Sequence, residues 1–164
     1  MTAPSLRAAP LPRSSRRLTT AGYFAAFVAL GLAYATLGPS LTELAATVSA
    51  QITQISYAFT ARGLGYLIGS VLGGRLYDVV RGNPVMAGAL ILTAATLTAL
   101  PFVTALPLLI ALILAMGVFE GAVDVGGNAL LVWVHGDEVD PYMNAMHFFF
   151  GVGAFASPIF VAQS

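Results

Sequence analysis

The sequence predicts an all-α membrane protein with five transmembrane helices, and three observations carry that expectation. Hydrophobic residues make up 58% of the 164-residue chain and charged residues only 9%, well below the about 25% that solvates an ordinary globular surface. The apolar residues fall in long blocks, each able to cross a hydrocarbon core of ~30 Å, which takes about 20 helical residues. Most of the charges gather between the blocks. Helices are the expected spanning element, because an open strand edge in lipid leaves backbone groups unpaired. The chain contains no cysteine, which excludes disulfides and thiolate metal sites. It has no basic patch interleaved with aromatics and no His-rich cluster. The expected partners are therefore the lipid bilayer and a small solute, not nucleic acid, and no metal or organic cofactor is expected.

Residues 1–19 read as a disordered cytoplasmic arm with prolines and the arginines Arg7, Arg13, Arg16 and Arg17. The first span covers residues 20–41 and is closed by Gly38-Pro39. A polar link over residues 43–51 leads to a second span at 54–74. A tight charged loop, "GRLYDVVRGN", follows. Asn83 is the expected N-cap and Pro84 the first-turn residue of a third span at 84–103. Pro101 and Pro107 bracket the next turn, and a fourth span runs over 107–134. After "HGDEVD", Asp140-Pro141 opens a fifth span at 141–162, with Pro158 as an expected kink. Trp133 reads as an interfacial anchor.

Arginine placement sets the expected topology. Four arginines precede the first span, Arg75 and Arg81 follow the second, and the alternate loops carry none. The positive-inside rule then puts the N-terminus in the cytoplasm of a multi-pass cell (inner) membrane protein. A rival reading takes "SRRL" and the later "AYA" as a twin-arginine signal with its cleavage site. Four further spans favour a retained anchor.

The fourth span carries Glu120, Asp124 and Asn128 at steps of four residues, which places them on one slowly drifting helical stripe. A carboxylate at the centre of a lipid-facing helix costs ~2.5–3.5 kcal/mol on the insertion scale. The stripe is therefore expected to face a bundle interior or a wet cavity. Arg62 is the basic residue expected inside the membrane, and it is expected to pair with Glu120 in preference to Asp124. That pairing reads either as a functional site or as a static brace between helices. Gly65, Gly69 and Gly73 form a flat stripe for close helix packing. In the fifth span Asn144, His147 and Gly151 share a face, and His147 can bind a hydroxylated ligand, exchange protons or make a helix–helix hydrogen bond.

"GRLYD" with Arg81-Gly82 resembles the loop signature of the major facilitator superfamily, with Gly74, Leu76 and Asp78 in place, Val79 where a basic residue is expected and Arg81 one position late. The segments "RGLGYLIGSVLGGRLYD", "EGAVDVGGNALLVW" and "NAMHFFFGVGAFASP" are similar to the fucose permease and sodium-dependent glucose transporter-like branch of that superfamily. The resemblance implies the N-terminal half of a twelve-helix transporter working by alternating access around a mid-membrane site, with Gly74, Asp78 and Arg81 in a conformational loop and Glu120 at a position that matters for proton-coupled sugar transport. The first span lacks the aspartate that the fucose permease uses, so the coupling ion stays open between H+ and Na+.

The expected function is secondary active transport of a sugar or similar small polar solute, with Glu120, Asp124, Asn128, Asn144, His147 and Arg62 as the substrate and coupling-ion set. The chain stops before a sixth helix, so a C-terminal half is an expected partner and no independent transport is expected. A drug or metabolite exporter of the same fold and a non-transporting scaffold are the alternatives. No nucleophile–base set stands out, and an enzyme is not expected.

Overall fold

The computed structural model of the chain describes residues 13–162. Helix α1 spans Arg13–Thr47, followed by a single turn α2 (Ile52–Ile55), α3 (Tyr57–Val79), α4 (Gly82–Ala99), a 3-10 turn over Leu100–Phe102, α5 (Leu106–His135), a second 3-10 turn over Gly136–Glu138 and α6 (Asp140–Val161). Among the described residues, four helices are long and apolar enough to cross a membrane: α1, α4, α5 and α6. Helix α3 matches them in length with 23 residues. Its glycine content and its Arg62, Arg75 and Asp78 lower its apolarity.

Helix α1 differs most from the sequence reading. Residues 13–19, expected in the arm, are helical; residues 1–12 lie outside the described residues. The extra turns have anchors: Arg16 pairs with Glu138 at 3.2 Å, and Thr20 meets His135 at 2.8 Å. The helix also continues through Pro39 to Thr47 instead of ending at Gly38-Pro39. Pro39 has no N–H for the Ala35 carbonyl, but the residues beyond it still have a core to join. Leu44 and Ala45 are buried with Ile55, Leu100 and Leu109, and that burial outweighs the lost bond.

The charged loop is shorter than expected. Helix α3 runs on to Val79, so Gly74 and Asp78 are helical, and only Val80 and Arg81 link it to α4. Arg81, not Asn83, stands at the N-cap of α4. Asn83 is instead used across the bundle, where its Oδ1 accepts from the Tyr23 hydroxyl at 2.8 Å. Pro84 falls in the first turn, where an N–H has no intrahelical partner to lose. The starts of α5 and α6 agree with expectation, each with a proline in its first turn.

Two helix pairs make the bundle: α3 lies along α5, and α1 lies along α6. Both seams are closed by glycine. A methyl at Gly65 or Gly69 would overlap the carbonyl of Leu114 or Val118, and one at Gly117 or Gly121 would overlap that of Arg62 or Tyr66. Gly31 and Gly153 make the matching contacts between α1 and α6. The partners advance together along both chains, so the paired helices run parallel. Backbones at this separation maximise van der Waals contact, which drives helix association where water is absent.

The buried side chains form a large cluster at each end of the bundle. At the arginine-bearing end are Tyr23, Phe27, Tyr77, Met86, Leu130, Leu131 and Met146. At the opposite end are Leu37, Ile55, Leu109, Ile113 and Met116 with their neighbours. Between them, along the helices, lies a narrow waist of Leu30, Ala89 and Val123. Helix α5 contributes to all three clusters, and its polar stripe sits at the waist.

Candidate functional site: a polar cleft at the waist of the bundle

Arg62 and Glu120 meet in the α3–α5 seam. Arg62 Nε donates to Glu120 Oε2 at 2.8 Å and Nη2 donates to Oε1. The glutamate is 0% exposed and the arginine 6%. The remaining arginine donors reach across to α1, where Nη1 donates to the Tyr34 carbonyl at 2.7 Å and Nη2 to the Ala33 carbonyl at 3.3 Å. The guanidinium also lies 4.3 Å from the centre of the Tyr34 ring, within cation–π range. A buried charge is tolerable when it is paired and its hydrogen bonds are met, and this pair meets both conditions.

One helical turn further on, the same two helices make a second polar contact. The Tyr66 hydroxyl donates to Asp124 Oδ2 at 2.7 Å. Both contacts join residues 58 apart, so they are two rungs of one parallel register. Asn128 supports the second rung from below. Its amide donates to the Asp124 carbonyl at 2.8 Å and stands 3.4 Å from Asp124 Oδ1.

These rungs border a cleft of about 1200 Å³, lined among others by Tyr34, Arg62, Tyr66, Asp124, His147 and Phe150. His147 Nδ1 is 2.9 Å from the Met143 carbonyl. A carbonyl only accepts, so Nδ1 carries the proton and Nε2 is left as an acceptor in the neutral ring. The His147 ring stands edge-on to Phe27 at 5.9 Å.

The cleft therefore gathers Arg62, Asp124 and His147 from the residues expected on sequence grounds. Glu120 lies behind Arg62 and is not part of the wall. Asn128 is turned to Asp124 instead of the cleft. Asn144 is exposed near the start of α6 and lines no part of it. Gly74 and Asp78 lie on the last turns of α3 and Arg81 on the link to α4, at the arginine-bearing end, and none of them lines the cleft. Sequence reasoning missed Tyr34 and Tyr66. Tyr66 was within reach of it: it follows Arg62 by four residues, just as Asp124 follows Glu120. Tyr34 had no comparable signal, because α1 carries no charge between Arg17 and Glu43 to mark its inward face at mid-bundle.

Helices packed through glycine around a shared polar cleft define a multi-pass helical membrane protein with polar groups lining a cleft at mid-bundle. The family model described as Major Facilitator Superfamily matches residues 23–162, and the chain belongs to that superfamily. It is 40% identical over 144 residues to sodium-dependent glucose transporter 1 of Danio rerio, covering 88% of this chain and 24% of that protein. It is also 40% identical over 147 residues to sodium-dependent glucose transporter 1 of Rattus norvegicus, covering 90% of this chain and 30% of the relative. A third relative, major facilitator superfamily domain-containing protein 4A of Xenopus tropicalis, is 28% identical over 142 residues, covering 86% of this chain and 28% of that protein. The chain thus spans between 24% and 30% of the length of these relatives. No solved structure matches it.

Proposed function

We propose that these helices form one wall of a secondary active transporter for a hexose or similar polyhydroxylated solute. The observation that carries this reading is the cleft itself, where a carboxylate, a histidine with a free acceptor and two tyrosines face one space. Hydroxyl-rich ligands are recognised by such convergent polar groups set among aromatic faces. The identity to sodium-dependent glucose transporters supports the same solute class.

A second helical bundle set against this cleft would enclose the solute, and alternating access would follow from rocking of the two bundles about it. The arginine-bearing end, with Arg16, Arg17, Arg75 and Arg81, would face the cytoplasm of the cell membrane. Coupling would be to H+ or Na+. Asp78 and Arg81 would act in conformational change and not in solute binding.

The test is a chimera in which residues 23–162 replace the matching segment of the rat transporter. Saturable uptake of labelled D-glucose into proteoliposomes is expected from the chimera and none from this chain alone. A folded, inserted chimera with no saturable hexose uptake overturns the reading. A second reading, an exporter of apolar compounds, draws on Phe27, Leu30, Phe59, Leu64, Leu67 and Phe150 in the wall. Transport of lipophilic cations without hexose transport would favour it.

A further inference from the structure

We infer that the arginine-bearing end carries an acid-released latch: neutral His135 ties the first turns of α1 to the α5–α6 junction, and a second ring proton lets them go. The latch works the same way whatever solute the cleft takes.

Three elements meet at the His135 ring. The residue closes α5 and is only 7% exposed. From α1, the Thr20 hydroxyl comes within 2.8 Å of Nε2. That hydroxyl has one proton and gives it to the Arg16 carbonyl at 2.8 Å. Nε2 therefore carries the proton toward Thr20, and Nδ1 is a bare lone pair. From α6, the Tyr142 ring lies flat against the imidazole, with centroids 3.5 Å apart and planes inclined by 22°. Outside this stack Arg16 pairs with Glu138 of the following 3-10 turn. The Thr20–His135 bond crosses from the α3–α5 pair to the α1–α6 pair, so it closes one end of the joint between them.

The closed contact admits a single protonation state. Nδ1 is buried and, among the described residues, has no partner. A proton there would find no acceptor, and it would place a positive charge where little water reaches. The charged groups facing the ring are Arg16 from α1 and Glu138 from the 3-10 turn, and Tyr142 is the titratable group from α6. Besides His135, the last two turns of α5 carry no charged side chain, and Asp137 and Asp140 of the junction are exposed. Arg16 opposes a positive ring. Glu138 favours one, but its side chain is 77% exposed and already shared with Arg16. The balance falls against the imidazolium while the contact is closed.

Once the first turns of α1 swing away, water reaches the ring. Nδ1 then takes a proton at the ordinary histidine value of about 6.5. The open form binds more protons than the closed form, so acid favours opening. The latch holds in full above about pH 6.5 and weakens below it, the open-to-closed ratio rising by up to about tenfold per pH unit for one proton.

The test is made on the chain in lipid nanodiscs. There is no native cysteine, so S14C/D137C takes one spin label on α1 and one on the α5–α6 junction. The distance between labels, read by pulsed electron paramagnetic resonance, is expected to be short at about pH 7.5 and to lengthen toward about pH 5.5, a range that stays clear of ordinary carboxylates. H135Q keeps a donor toward Thr20 but gains no charge, and is expected to hold the short distance throughout. T20V is expected to show the long distance at every pH. E138Q is expected to keep the transition. The chain has two histidines, so H147Q leaves His135 as the one imidazole, and its nitrogen resonance is expected to report a charged ring in step with the lengthening. A distance independent of pH, a transition that survives H135Q or is lost in E138Q, or a charged ring at the short distance overturns the inference. Should T20V fail to fold, H135Q and the ring resonance decide the matter.

Discussion

Arg62 and Glu120 form a two-point contact in which both charges are buried, and the arginine adds two bonds to a third helix. The pair therefore holds three helices together at the level where the core is thinnest. Removing one member leaves the other charge buried and alone, a change that costs about 3–5 kcal/mol in comparable sites. Glu120→Gln and Arg62→Gln are each expected to lower the melting temperature in detergent strongly. Arg62→Met combined with Glu120→Leu is expected to recover most of the loss. Equal melting for the singles and wild type would show that the pair is not a brace.

The charge-swapped variant separates the pair from its surroundings. Arg62→Glu with Glu120→Arg restores opposite charges but not the donors to the Ala33 and Tyr34 carbonyls. Its melting temperature is expected to fall between those of the singles and wild type. Full recovery would mean that the bonds to α1 contribute nothing.

The glycine seam predicts a sharp positional contrast. A methyl at Gly69 would overlap the Val118 carbonyl, whereas one at Gly88 meets nothing within 4 Å. Gly69→Ala is expected to destabilise the fold by about 1–3 kcal/mol, the range for overpacking. Gly88→Ala is expected to be neutral or stabilising by roughly 0.5–1 kcal/mol, from the helix preference of alanine. Thermal unfolding in nanodiscs or detergent reads both.

At the arginine-bearing end, burial decides which contact matters. The Arg16–Glu138 pair is largely exposed, and Arg16→Ala is expected to leave the melting temperature unchanged. Thr20 is buried, and its hydroxyl donates to the Arg16 carbonyl, so toward His135 it accepts a proton from Nε2. Among the described residues, His135 Nδ1 has no partner. Thr20→Val therefore strands the second ring nitrogen as well, and is expected to cost about 1–3 kcal/mol. Equal effects of the two substitutions would contradict the assignment.

Much of this architecture was legible in the chain. Long apolar blocks and flanking prolines marked α4, α5 and α6 closely, because a helix in lipid has no alternative partner for its backbone. The four-residue spacing of Glu120 and Asp124 pointed to an inward stripe for the same energetic reason. The ends of α1 were misread because local signals, a proline and a run of arginines, were overridden by distant contacts with Ile55, Leu109, His135 and Glu138. The contrast between Glu120, buried on Arg62, and Asp124, held by Tyr66 at the cleft, was only half legible: the first pairing was expected and the second was not. It depends on which residue of α3 lies opposite each carboxylate, and that register is set by glycine contacts distributed along two helices.

The parallel seams leave little room for sliding, since each glycine already touches the opposing backbone. Each helix pair should therefore move as a single beam. Compliance must lie between the beams, where α1 crosses α5 and side chains, not backbones, make the contact. Arg62 crosses that joint at mid-height, anchored firmly in one beam and hydrogen-bonded to carbonyls of the other.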